Sequence, residues 1–203
     1  MSAAPTLQNL DHDLVLASKS QIRADVLSQA GFSFEVVPSG VDEDELKAEI
    51  SDLHALARAL AVAKAKTVSA TRPEAFIIGA DQIMQCAGRV FDKPSSMQEA
   101  RDNLAFLSGK PHQLLSGIAL VRGGEVLWSD TIVATLHVRT LSEQDLSLYL
   151  AAAGESILSS VGCYRLEGVG IHLFEKIEGD HLTIYGLPLL PLLPHLRQWG
   201  VVR

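Results

Sequence analysis

The chain has 203 residues, with 24 acids against 17 lysines and arginines; the formal charge of −7 excludes a generally basic nucleic-acid binder. Hydrophobic residues make up 47% of it but aromatics only 5%, so aliphatic and small side chains must build the core. A chain of this length buries roughly 70% of the surface it exposes when unfolded, enough for a core without disulfides or structural metal. No run approaches the roughly 20 apolar residues of a membrane helix, and the apolar tail 187–196 is cut by Pro188, Pro191 and Pro194. Residues 1–12 read as a loose lead-in without the charged and apolar order of a signal peptide, and 13–203 as a single domain of a cytoplasmic protein. Cys86 and Cys163 stand far apart with no second ligand at metal spacing, and the histidines are scattered, so the thiols read as buried structural groups and no histidine as catalytic.

In chain order, residues 13–17 predict a buried strand that runs through the polar loop 18–23 into a helix ending at Gly31. Residues 34–38 predict a second strand, 41–45 an acidic loop, 53–68 a long Ala- and Leu-rich helix, and 76–80 a buried strand ending at Asp81. Gly88 punctuates a hairpin, and Ser96 with Glu99 three residues later marks a helix start that Gly109 would close. The segments 112–121 and 125–138 are β-prone and joined by Gly123-Gly124, the strongest hairpin signal in the chain. Ser142 with Asp145 opens another helix; a Gly-rich loop over 154–170, a strand at 171–176 and a closing helix beyond Pro188 follow. Alternating strands and helices interrupted by a β-hairpin predict an α/β fold with a mixed sheet.

Two places offer chemistry. The loop 18–23 combines Ser18, Ser20, Lys19 and Arg23 where a strand feeds a helix, so backbone N–H groups, hydroxyls and positive charge meet where a phosphate would suit. The plainer alternative is an N-cap serine with solvated cations. The run Gly79-Ala80-Asp81-Gln82 sets a carboxylate directly after an apolar strand, where it holds a divalent metal, orients a water or merely caps a turn. Glu43 in the acidic loop, Lys64 on the long helix and Lys93 before Pro94 are further candidates, each equally readable as a solvated charge.

Taken together these segments resemble a known family. Residues 14–27, Val41-Asp42-Glu43, the 60–65 helix with Lys64, Ile78-Gly79-Ala80-Asp81-Gln82, Lys93-Pro94, Leu107-Ser108-Gly109, Gly162-Cys163-Tyr164 through Glu167-Gly168, and Gly186-Leu187-Pro188 follow the order and spacing of the Maf family. These are nucleoside triphosphate pyrophosphatases first linked to inhibition of septum formation. The resemblance extends over 14–200 and is nearest to the branch acting on 7-methyl-GTP. It implies a Maf/ITPase-like α/β fold: a mixed twisted sheet flanked by helices, in two lobes with an intervening cleft. It also implies a nucleoside triphosphate substrate, a divalent cation (Mg²⁺ or Mn²⁺) and, as a possible assembly, a homodimer; the charge and the absence of a long apolar run speak against nucleic acid and membrane as partners.

Carried over residue by residue, the resemblance makes Asp81 the catalytic carboxylate and assigns Ser18, Ser20, Arg23, Lys64 and Lys93 to the substrate phosphates. Glu43 joins Asp81 in holding metal. Three positions that differ between family branches fall on Ile22, Gln82 and Glu167. The branch acting on dTTP and UTP usually has Arg, Thr and Gln there, and the 7-methyl-GTP branch Trp, Gln and Glu. Gln82 and Glu167 thus resemble the second branch, while Ile22 fits neither and removes an aromatic face on which a methylated purine would stack. Gln21 also departs from the proline usual in the family. A glutamate suits guanine, because its two oxygens can accept side by side from the ring N–H and the exocyclic amine. The alternatives are a nucleotide-binding regulator of cell division without turnover and a dTTP- or UTP-directed pyrophosphatase.

Overall fold

The first apolar run forms β1 (Leu14–Ala17), entirely buried, in a computed structural model that describes residues 6–203. The helices α1 (Gln21–Gln29), α2 (Asp44–Glu49), α3 (Leu53–Ser69), α4 (Met97–Leu107), α5 (Glu143–Ala153), α6 (His181–Ile184) and α7 (Leu189–Gln198) alternate with or follow the strands. The remaining strands are β2 (Glu35–Val36), β3 (Phe76–Cys86), β4 (Arg89–Phe91), β5 (Pro111–Arg122), β6 (Glu125–Val138) and β7 (Phe174–Glu178). They form a seven-stranded mixed sheet of order β2-β1-β3-β5-β6-β7, with β4 paired to β3. The chain divides into two compact units. One holds residues 6–82, Leu115–Ile132 and Asp180–Arg203; the other holds Ile83–Leu114 and Val133–Gly179.

In the first unit β1 runs parallel to both β2 and β3, in the register Leu14↔Phe76 through Ala17↔Gly79. Parallel strands covered on both faces need apolar side chains on both, which is why these segments are continuous apolar runs and not alternating ones. On one face Leu14, Leu16, Phe76, Ile78, Ile118 and Leu120 pack with Val26 and Leu27 of α1 and with Leu189, Leu192 and Leu196 of α7. On the other, Val15, Ala17, Ile77, Ala119 and Val121 meet Ala61, Ala65 and Val68 of α3. Helix α3 lies unusually close because Ala57, Ala61 and Ala65, one turn apart, face two glycines. A Cβ on Gly79 would strike the Ala61 carbonyl, and one on Gly117 the Ala57 carbonyl.

The pairings particular to the second unit are antiparallel. The outer half of β3 folds back on β4 (Met84↔Phe91, Cys86↔Arg89) through Ala87 and Gly88, both at positive φ, and β6 pairs with β7. Its interior holds a neutral polar group of neighbours. His112 Nε2 and the Tyr164 hydroxyl are 2.7 Å apart, Tyr149 donates to the Cys163 carbonyl at 3.0 Å, and the Asn103 amide nitrogen lies 3.9 Å from the Cys163 sulfur. Both thiols are buried and unbonded to one another.

Several boundaries differ from the sequence expectation for local reasons. The strand expected to end at Asp81 continues to Cys86 because β4 supplies it with a partner, so Asp81 lies inside β3, just past the point where β1 stops. The acidic loop 41–45 is partly helical, since Asp44 and Glu45 occupy the first turn of α2, where carboxylates are favoured by the exposed N–H groups. The strand expected at 34–38 keeps two residues, and that expected at 171–176 begins only at Phe174, after a 3₁₀ turn over Val169–Leu173. Ser96 caps α4, but Glu99 reaches the Ser95 N–H instead of closing the box; Ser142 and Asp145 close theirs on α5. The expected lead-in is not loose throughout. Gln8 is buried, bridges to Val202, and exchanges side-chain hydrogen bonds with the Ser33 backbone, while residues 1–5 lie outside the described residues. Among the described residues no helix is long and apolar enough to cross a membrane.

Candidate active site

Asp81 and Lys64 meet because of the close approach just described. Lys64 precedes Ala65 on α3, Asp81 lies two residues after Gly79 on β3, and both Gly79 and Asp81 point to the α3 face by strand alternation. The Lys64 ammonium donates to Asp81 Oδ1 and also lies 2.8 Å from Glu43 Oε1. The other Glu43 oxygen pairs with Lys47 at 2.9 Å. Glu43 reaches this point from the N-terminal edge of α2. Burial pushes its carboxyl pKa up, but hydrogen bonds and charge from Lys64 and Lys47 outweigh that and leave it below the usual carboxylate value.

Arg23 lies on α1 at the other side of the strand ends. Its Nη1 donates to the Ala80 carbonyl at 2.8 Å and to Ser18 Oγ at 3.1 Å; its Nε is buried without a partner among the described residues. Burial lowers the guanidinium pKa, while the charges of Asp81 and Glu43 work against the shift. Ser18 also accepts from the Ser20 N–H at 3.2 Å, so its acceptor capacity is filled and its O–H proton remains to be donated. Ser20 stands at the N-cap of α1 without a side-chain capping bond.

Gln82, next to Asp81, points to the opposite face. Its amide nitrogen donates to Ser116 Oγ at 2.9 Å and to the carbonyls of Thr183 and Ile184, both at 3.1 Å. The amide's donors are thereby spent within the protein, leaving Oε1 as the atom available to a ligand. Ile22 is half-buried in the first turn of α1.

Of the residues singled out in sequence, the first unit therefore contains Ser18, Ser20, Ile22, Arg23, Glu43, Lys64, Asp81 and Gln82, with the charged members brought together. Lys93 and Glu167 belong to the second unit, Lys93 exposed after β4 and Glu167 paired with Arg165 at 2.9 Å. Sequence reasoning missed Ser116, Thr183 and Lys47, and gave no role to the Ala57-Ala61-Ala65 seam, whose four-residue spacing was its visible signal.

The donor set can be tested against a divalent cation. Two carboxylates converge on one point, the Lys64 ammonium, yet among the described residues no three His, Cys, Asp or Glu side chains cluster closely enough to hold a metal. Two oxygens suit an Mg²⁺-type ion that takes its other ligands from water and substrate phosphates, and do not suit a cation caged by protein alone. A carboxylate beside an ammonium, a guanidinium and a free hydroxyl proton can accept a proton while neighbouring donors hold phosphate oxygens.

The family model for Maf-like proteins matches residues 13–199, and the chain belongs to that family. Among its relatives, a nucleoside triphosphate pyrophosphatase of Nitrobacter winogradskyi is 46% identical over 92% of this chain and 94% of its own. One from Maricaulis maris, with the same name, is 47% identical over 93% and 97%. A 7-methyl-GTP pyrophosphatase of Bartonella henselae is 47% identical over 95% of this chain and 98% of its own.

Proposed function

We propose that this nucleoside triphosphate pyrophosphatase acts on a guanine-type nucleotide, 7-methyl-GTP or another modified guanosine triphosphate, with Asp81 as its catalytic carboxylate. The observation that carries the chemistry is the convergence of Asp81 and Glu43 on Lys64, with the half-buried Arg23 guanidinium within reach of both carboxylates' charge. A triphosphate is held by cations and N–H or O–H donors, and its cleavage is promoted mainly by positioning and by charge placed where charge develops.

In this reading a water attacks the α-phosphorus and its proton passes to Asp81. The bond from the α-phosphorus to the oxygen bridging to the β-phosphorus breaks, and pyrophosphate leaves with that oxygen and its electron pair. Lys64, Arg23, the Ser18 hydroxyl and Ser20 hold phosphate oxygens, and Lys93 is proposed as a further phosphate cation. Glu43 and Asp81 would hold a divalent cation, which would supply charge neutralisation on the triphosphate. The guanine preference rests on the identities of Gln82 and Glu167, each taken by itself: a carboxylate or an amide oxygen accepts from the N–H groups of a guanine edge. A pyrimidine dione would turn two carbonyl oxygens toward those acceptors. The relative of Bartonella henselae named for 7-methyl-GTP supports the same choice.

The test is the release of monophosphate and pyrophosphate from 7-methyl-GTP, GTP, dTTP, UTP and CTP, each with Mg²⁺ or Mn²⁺. A guanine nucleotide should lead in kcat/KM. Faster turnover of dTTP or UTP would replace this reading with the pyrimidine-directed one, and nucleotide binding without turnover would replace it with a regulator.

A further inference from the structure

We infer that Ser116 is a positioning residue for the phosphate site, acting through the 180–186 turn on the guanidinium of Arg23. The inference rests on the reading of Arg23 as a phosphate donor.

Ser116 interrupts the apolar run of β5 and is fully buried. A hydroxyl there costs stability unless both its donor and acceptor functions are met. They are: its proton goes to the Thr183 carbonyl at 2.8 Å, and its oxygen receives the Gln82 amide nitrogen at 2.9 Å. The direction of every bond is set by chemistry. Two backbone carbonyls and a hydroxyl whose only proton is committed can do nothing but accept from Gln82, so a flipped amide would set its oxygen against three acceptors.

The consequence is a clamp on one turn. Thr183 is itself held from the other side, its N–H donating to Asp180 Oδ1 at 3.0 Å and its hydroxyl to Asp180 Oδ2 at 2.5 Å. The Thr183 carbonyl also receives the N–H of Gly186 at 3.0 Å. Gly186 has φ +80°, and a Cβ built on it would lie 3.1 Å from both Nε and Nη2 of Arg23. Bare backbone therefore rests against the guanidinium, and covers the Nε that has no partner. The opposite edge of Arg23 is tied to Ala80, two residues before Gln82 on β3. Arg23 is thus gripped between the strand and a turn that Ser116 and Gln82 hold to the same sheet.

Removing the Ser116 hydroxyl loosens the turn without touching the guanidinium. The experiment compares wild type, Ser116→Ala, Ser116→Cys and Arg23→Gln in the full chain with Mg²⁺. It measures KM and kcat for two nucleotides of different base, and the inhibition constant of tripolyphosphate, which has phosphates but no base. Ser116→Ala should raise KM and the tripolyphosphate constant together by about three- to tenfold, the scale of one lost hydrogen bond. The kcat and the ratio between bases should hold, and Ser116→Cys, which keeps the volume, should fall between. An unchanged tripolyphosphate constant in Ser116→Ala, with a raised one in Arg23→Gln, overturns the inference and spares the reading of Arg23. Unchanged constants in both variants overturn that reading, and the inference with it. A shifted base ratio at constant tripolyphosphate binding also overturns it, and makes the network a base reader.

Discussion

In the first unit Arg23, Glu43, Lys64 and Asp81 are half-buried charged groups that keep part of their surface in water, whereas the buried polar groups of the second, His112, Tyr149, Tyr164 and Cys163, are neutral. Burial is the leading influence in both places, with different results. In the second unit it drives the His112 pKa down to about 4 and the Cys163 thiol up to about 11, and raises both tyrosine phenols, so every group meets neutral pH uncharged. In the first, opposed charges outweigh it at Glu43, which stays ionised. A half-buried ion pair gives little stability for its desolvation cost, so its retention is better explained by chemistry than by folding. A neutral hydrogen-bonded group, though more deeply buried here, holds structure at far lower cost.

That contrast can be broken by substitution. Lys64→Gln should remove the cation that both carboxylates share and lower kcat/KM by about 10²–10³-fold, the scale of one lost donor at a charge-developing site; steady-state kinetics at saturating Mg²⁺ would measure it. Gly79→Ala drives a methyl group into the Ala61 carbonyl and must push α3 off the sheet. It should cost about 1–3 kcal/mol in denaturant unfolding and lower turnover as well, because Lys64 travels with the helix.

The neutral network makes a pH prediction. Because the folded-state pKa of His112 lies near 4 against 6.5 when unfolded, only the unfolded chain takes up this proton between those values. The contribution is complete above pH 6.5 and is lost as pH falls toward 4, by on the order of 3 kcal/mol. Thermal melts should show Tm falling over this window in wild type and a flatter profile in His112→Gln. The smallest effect is expected at the family departure in α1. Gln21 is the first helical residue, and the preceding Ser20 is extended (φ −73°, ψ 116°), a conformation a following proline accepts. Gln21→Pro should therefore raise stability by about 0.4–1 kcal/mol and leave kcat unchanged.

These tests separate what the sequence carried in plain view from what it hid. The apolar runs at β1 and β3, the length of α3 and the Gly123-Gly124 turn were legible because each is a local pattern with a local cause. Helix α2 was not, since an acidic run reads equally well as a solvated loop and as a favourable first helical turn. The end of β3 depended on β4, which residues 76–81 do not reveal. In the site, Asp81, Lys64, Glu43 and Arg23 were each ambiguous alone and gained meaning from the ordered resemblance to the Maf family. Their convergence needed the Ala57-Ala61-Ala65 seam against Gly79 and Gly117. Ser116 and Thr183 were illegible because their partners lie far away in the chain: a serine in an apolar strand does not announce what it bonds.

Asp81 carries the proposed chemistry most directly. Asp81→Asn keeps the shape and replaces the proton acceptor with an amide, so pyrophosphate release from the leading nucleotide should fall by about 10²–10⁴-fold. The circular dichroism spectrum and Tm should stay close to those of the wild type. A folded Asp81→Asn protein that releases pyrophosphate at the wild-type rate would contradict the account.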